Sequence, residues 1–91
     1  MIYSITFANS AQKVLKKWKK SNPVLFKKAS IILEELIDHP RSGTGHPEAL
    51  RGGNDITYSR HITAHDRIIY DIFDDKVEVH VIDVEGHYND K

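Results

Sequence analysis

The chain has 91 residues, with 13 Lys or Arg against 13 Asp or Glu, six His and no Cys. That length allows one domain over residues 1–91, and the missing cysteines exclude a disulfide framework, a thiolate zinc site and a cysteine nucleophile. With 40% hydrophobic and 29% charged residues, no apolar run near the ~18 residues of a membrane span and no leader-like amino terminus, the expectation is a small cytoplasmic domain that avoids membranes. The neutral total hides an asymmetry. Residues 1–47 carry eight basic and three acidic side chains, a net of +5, whereas residues 48–91 carry five and ten, a net of −5. Polarity of this kind between two halves points to a surface that faces a polyanion.

Residues 2–7 (IYSITF) alternate apolar and polar side chains and predict a strand. Asn9 and Ser10 offer N-caps for a helix whose stripe is Ala11, Val14, Leu15 and Trp18. Trp18 falls on that stripe and reads as core, while Lys13, Lys16, Lys17, Lys19 and Lys20 fill the other face. Asn22-Pro23 breaks the chain, and Pro23 suits the first turn of a second helix. That helix carries Leu25, Ala29, Ile32, Leu33 and Leu36 and runs to about Asp38, pairing with the first as a helical hairpin.

Residues 40–47 (PRSGTGHP) form a loop by composition, and Arg51-Gly52-Gly53-Asn54-Asp55 marks a further turn. Three strands are then predicted over residues 56–62, 67–73 and 77–84, with the last alternating strictly until Val81. The order β-α-α-β-β-β with short turns between the last strands predicts an α+β fold, a two-helix hairpin packed on a small twisted antiparallel sheet. One face of the sheet would cover the helices and the other would stay partly open.

The chain contains no phosphate loop, dinucleotide fingerprint, nucleophile elbow or HExxH motif. What remains is a scattered set in the second half: His46, Glu48, Arg51, Arg60, His61, Arg67, His87 and Tyr88. These types match metal-free RNA cleavage. A base must take the 2′-hydroxyl proton, an acid must protonate the leaving 5′-oxygen, and a fixed cation must meet the crowded phosphorane. Each residue also has a plainer reading. Glu48 can be a solvated loop carboxylate, Arg67 a charge guarding a sheet edge, His87-Tyr88 a tail packed on the sheet, and the lysines a solvated helix face. His80, beside Glu78 in VEVHV, reads as structural. His61 and His65 have helical zinc-ligand spacing, but on strand and turn they do not converge, so neither a metal nor any other cofactor is expected.

The run Gly43-Thr44-Gly45-His46-Pro47-Glu48-Ala49-Leu50 resembles the G-x-G-x-P-E-x-L segment of YoeB/Txe-type toxins in the RelE/ParE superfamily. Tyr58-Ser59-Arg60-His61-Ile62-Thr63 and Asp66-Arg67-Ile68-Ile69-Tyr70 resemble that family's W-S-R-R-I-T and H-R-L-V-Y patterns, and His87-Tyr88 its terminal H-Y. Tyr58, His61 and Asp66 stand where the family has Trp, Arg and His, and three residues follow Tyr88. The resemblance implies a RelE-like microbial RNase fold and the toxin of a type II toxin–antitoxin pair, an mRNA endonuclease acting in the ribosomal decoding site. It implies Glu48 as general base, Arg67 as stabiliser of the phosphate transition state and His87 as general acid. Tyr88, Arg51, Arg60 and His46 would contact the substrate. Lys13, Lys16, Lys17 and Lys20 become candidates for ribosome contact. Implied partners are a YefM/Phd-like antitoxin, the ribosome and mRNA, with operator DNA reached only through the antitoxin. Homodimers occur among relatives. Two other readings share the scaffold: a non-catalytic, ParE-like inhibitor of DNA gyrase, and an inactive homologue that acts only as antitoxin or repressor partner.

Overall fold

The structure is a computed structural model and describes residues 2–50 and 55–85. Strand β1 (Ser4–Phe7) leads into helix α1 (Asn9–Ser21) and helix α2 (Pro23–Leu36). A two-residue strand β2 (Glu48–Ala49) follows the loop, and then come β3 (Thr57–His61), β4 (Arg67–Phe73) and β5 (Glu78–Glu85). The strands form one sheet in the order β1-β5-β4-β3-β2. The expected helical hairpin on a small sheet is present, and β3, β4 and β5 pair antiparallel as anticipated. Two features depart from the expectation. β1 joins the edge of β5 in parallel, which makes the sheet mixed, and the short β2 adds a fifth strand where the sequence reads as loop.

Local chemistry explains the element boundaries. Ala8, not Asn9 or Ser10, occupies the N-cap of α1, and no side chain caps it. The chain is still tied to β5 at Ala8, whose N–H donates to the Val81 carbonyl (2.9 Å), so helix begins at the next residue. Asn22 does cap α2: its side-chain oxygen accepts from the Leu25 N–H (3.3 Å), and Pro23 opens the first turn. Strand β5 starts at Glu78, one residue later than the alternation suggests, because Val77 takes a φ of 55° in the turn.

The core lies between the helices and one face of the sheet. Ala11 and Trp18 from α1, and Leu25, Ala29, Ile32 and Leu36 from α2, meet Ile68, Tyr70, Ile72, Val79, Val81 and Val84. Trp18 is core, as its stripe position predicts. Each fully buried large aliphatic side chain contributes roughly 1.5–3 kcal/mol, so this one apolar layer carries most of the folding drive. The strict alternation of β5 stops after Val81 because a bulge opposite Ile69 and Tyr70 inserts Ile82. That extra residue keeps both Val81 and Val84 on the core face.

A polar hub closes the open end of this core. Arg60 on β3 is fully buried. Its Nε donates to the Tyr70 hydroxyl (3.1 Å), Nη1 to Glu35 Oε1 (2.8 Å) and the Thr44 carbonyl (3.5 Å), and Nη2 to the Ser42 (2.7 Å) and His39 carbonyls. All five guanidinium donors are thereby used inside the protein. Tyr70, also buried, passes its own proton donor to the Pro40 carbonyl (2.7 Å). Glu35, near the end of α2, additionally accepts from the Thr44 N–H (2.8 Å) and hydroxyl (2.7 Å). The expectation that Arg60 contacts RNA is therefore corrected: a side chain with no solvent access and five internal acceptors ties the loop to the sheet instead.

The two Thr44 hydrogen bonds, and then Arg60, hold the Glu35 carboxyl below its ordinary value of 4.5. A depressed carboxyl stabilises the fold above its unfolded value, and that contribution is lost as pH falls from there through the folded value. Urea midpoints followed by Trp18 fluorescence should therefore fall on acidification below about pH 4.5, and less steeply in Glu35→Gln. Glu35→Ala, which leaves a buried guanidinium without its counter-charge, should cost about 3–5 kcal/mol at neutral pH.

Candidate functional site

Alternation along the strands assigns side chains to two faces. Arg60, Ile68, Tyr70, Ile72, Val79 and Val81 point to the helices. The opposite face carries Thr57, Ser59 and His61 of β3, Arg67, Ile69 and Asp71 of β4, and His80 and Asp83 of β5. Cross-strand bonds on this face bear the assignment out. The Thr57 hydroxyl donates to Asp71 Oδ1 (2.6 Å), and Thr6 Oγ1 lies 2.7 Å from His80 Nδ1. His80 is thus tied across the β1–β5 pair, consistent with its structural reading.

The register then shows which candidates share a neighbourhood. Glu48 pairs with Ser59, Ser59 with Ile69, and Ile69 with Asp83, a continuous row across β2, β3, β4 and β5. One pleat period further, His61 pairs with Arg67, and Arg67 with Glu85, the last described residue of β5. Glu48 and Arg67 therefore lie on the same open face at the same end of the sheet. Two strand spacings separate their backbones laterally by about 10 Å, a span that long Glu and Arg side chains can close around one phosphate. Both are exposed, and Arg67 has no ion pair among the described residues. His87, Tyr88 and Arg51 lie outside the described residues.

Glu48 is positioned mostly by what flanks it, since β2 has only two paired residues. Before it, the Gly45 carbonyl accepts from the His61 N–H (2.8 Å); after it, the Leu50 N–H donates to the Thr57 carbonyl (2.7 Å). Gly43 and Gly45 have φ of 122° and 87°, and His46 follows at 52°, exposed at the bend into Pro47 and Glu48. A Cβ at Gly45 would press into the His61 carbonyl oxygen. These glycines let the loop lie flat enough on β3 to deliver Glu48 to the sheet edge.

The α1 lysines occupy another surface. Ala11 and Trp18 turn inward, so Lys13, Lys16, Lys17, Lys19 and Lys20 line a shallow exposed concavity on the outside of the helical layer. The sheet stands between them and Glu48, so no single phosphate can touch both groups. His61, from the candidate set, lies beside Arg67 on this face, whereas Asp83 and the buried Ser59 belong to it without having stood out from the sequence. The signal for Asp83 was the broken alternation after Val81, which marks the bulge that turns it to this face. Among the described residues, no three His, Asp or Glu come together in a way that could hold a metal ion, and no helix is long and apolar enough to cross a membrane.

Residues 7–88 match the family model of the YoeB-like toxin of bacterial type II toxin–antitoxin systems. Among solved structures, the chain is similar to a YoeB/ParE toxin from Agrobacterium tumefaciens, with 25% identity and a TM-score of 0.83 over 93% of this chain and 99% of that one. It is also similar to the YoeB dimer from Staphylococcus aureus (25% identity, TM-score 0.81, 97% and 100% covered). A YoeB–YefM complex from the same organism matches at 26% identity and TM-score 0.79, again over 97% and 100%. No curated protein matches the chain. Two helices on a five-stranded mixed sheet, with an open face at one end, place the molecule in the α+β class of small bacterial toxins. Within that class, the chain belongs to the YoeB-like toxins of type II toxin–antitoxin systems.

The Gly45 geometry carries a direct test. Gly45→Ala combines a left-handed backbone with a collision against the sheet and should lower unfolding free energy by about 1–3 kcal/mol. Glu48→Ala, at an exposed edge, should stay within about 0.5 kcal/mol of the parent in the same urea titration.

Proposed function

We propose that this toxin is a ribosome-dependent mRNA endonuclease that cuts in the decoding site without a metal. The observation that carries the reading is the register that sets Glu48 and Arg67 on one open face, at the end where β5 hands the chain on to residues 86–88. Glu48 takes the proton of the ribose 2′-hydroxyl, and the resulting alkoxide attacks the adjacent phosphorus. Arg67, an exposed planar cation, stabilises the charge of the phosphorane. His87 protonates the departing 5′-oxygen, leaving a 2′,3′-cyclic phosphate on one fragment and a 5′-hydroxyl on the other. Tyr88 and Arg51 hold the substrate, with His46 at the loop bend beside Glu48. DNA, lacking the 2′-hydroxyl, is not a substrate.

Ribosome dependence fits the exposure of both groups: Glu48 and Arg67 are open to solvent, and most of the rate in such chemistry comes from orienting the reacting groups. The decoding site supplies that orientation, and Lys13, Lys16, Lys17 and Lys20, on the helical side, meet ribosomal RNA away from the cut. The partner must be large enough to touch two faces of the toxin at once. By analogy with the relative solved as a YoeB–YefM complex, the cytoplasmic inhibitor is a YefM/Phd-like antitoxin. Operator DNA is contacted only through that antitoxin, and the relative solved as a dimer supports self-association as a further state.

Induction of the chain alone, with mapping of mRNA ends in translated and untranslated reporters, tests the reading. Cuts should appear in the translated message only, and Glu48→Gln or Arg67→Gln should lower the rate by about 10²–10⁴. Intact mRNA together with blocked supercoiling by DNA gyrase overturns it. Replacing Lys13, Lys16, Lys17 and Lys20 with Gln should weaken ribosome binding and flatten its salt dependence, since each released phosphate contact removes roughly one unit from the slope.

A further inference from the structure

Arg41 plays no part in the chemistry above, yet it is one of the most heavily bonded side chains in the molecule. Its Nε donates to Asp55 Oδ1 (2.9 Å) and its Nη2 to the Asp55 carbonyl oxygen (2.7 Å). Nη1 and Nη2 also reach the two carboxylate oxygens of Asp74 (3.1 and 3.0 Å). The guanidinium lies over the Tyr58 ring, 5.7 Å from its centroid. Both carboxylates are braced from behind: Tyr58 donates to Asp55 (2.6 Å) and Tyr3 to Asp74 (2.7 Å). The Arg41 hydrogen bonds, followed by that of Tyr3, lower the Asp74 carboxyl, and the Tyr58 and Arg41 bonds lower that of Asp55. Asp55 holds a φ of 64°, so its backbone is fixed in an uncommon conformation where the clamp grips it.

Chain positions show what this clamp encloses. Arg41 precedes Glu48 by seven residues and Asp55 follows it by seven, so the Arg41–Asp55 contact joins two points of the chain on either side of Glu48. Asp74, in the turn between β4 and β5, anchors that contact to the sheet. The carboxylates are well exposed, at 67% and 57% of their side-chain area, and exposed ion pairs add little to global stability. Geometry is the more economical account: two fork-like contacts, one of them to a backbone carbonyl, fix direction as well as distance. The Gly45–His61 and Leu50–Thr57 bonds fix Glu48 relative to β3, and Arg41 holds Asp55, just before that strand, against Asp74 in the turn after β4.

We propose that Arg41 is a positioning residue, which holds Asp55, just before β3, to Asp74 and thereby sets where β3 and the Glu48 carboxylate paired to it stand on the open face. The inference rests on Glu48 being the general base. Displacement of a catalytic group by an ångström can cost up to about 100-fold in rate without loss of binding. Ribosome-dependent cleavage by the full chain should therefore show a kcat lower by about 10-fold or more in Arg41→Gln, with KM changed by less than about 2-fold. Arg41→Lys, which keeps the charge and loses the fork, should recover only part of the rate. Arg41→Gln combined with Asp55→Asn should be no worse than Arg41→Gln alone, because both break one contact. Unchanged kcat in Arg41→Gln, alongside loss of cleavage in Glu48→Gln, overturns this inference alone. A fall in kcat that only matches the loss of folded protein, read from the urea midpoint, overturns it too. Full cleavage by Glu48→Gln overturns both this inference and the proposed chemistry.

Discussion

A guanidinium cut off from water must find an acceptor for each of its N–H groups or the fold that buries it fails. Arg60 meets that demand with Tyr70, Glu35 and three loop carbonyls, and much of the molecule is arranged around the result. The carbonyls it collects belong to the irregular stretch after α2, which has no ladder of its own to satisfy them. Glu35 closes the circuit from the helix side and also holds Thr44. One buried charge therefore joins α2, the loop and the central strands, and the route of the chain from the helical layer to Glu48 follows from it.

Such a hub is a costly way to hold a small domain together, since desolvating a charge consumes much of the Coulombic gain. Its value lies in specifying one path for a loop that apolar packing could not grip, being composed largely of Gly, Pro, Ser and Thr. The exposed clamp of Arg41 works at the same loop from outside. The two arginines act at different depths: Arg60 fixes where the loop leaves the helices, and Arg41 where the chain just before β3 meets the turn after β4. Neither is available to bind a phosphate. Of the arginines in the described residues, that leaves Arg67 on the open face.

Much of the architecture was legible beforehand because it rests on local periodicity. The Ala11, Val14, Leu15 and Trp18 stripe, the Asn22-Pro23 start of α2 and the alternation in β4 are each readable within a dozen residues. The first N-cap was misread because β1 and β5 hold Ala8 in place, a long-range bond that no local signal reveals. Arg60 was misread for a related reason. In Thr57-Tyr58-Ser59-Arg60-His61 neither set of alternate residues is clearly apolar, so the buried face cannot be chosen from the pattern. A basic residue that matches an RNA-contacting position of the resembled family then looks exposed by default. Its true partner, Glu35, lies 25 residues away on a helix that presents it as one more surface carboxylate.

Charge followed the same division between local and tertiary information. The basic first half and acidic second half could be counted from the chain, but which surfaces they occupy depends on the sheet that separates them. By itself the sequence determined the order of the two helices and four longer strands, the apolar stripes, the lysine-rich helix and the family, because these are carried by residue type and short spacing. Only the tertiary structure decided which arginines are structural, that β1 runs parallel to β5, and that Glu48 and Arg67 share one face. Those facts are set by strand register and by the need to satisfy buried polar groups, and both join residues that are far apart in the chain.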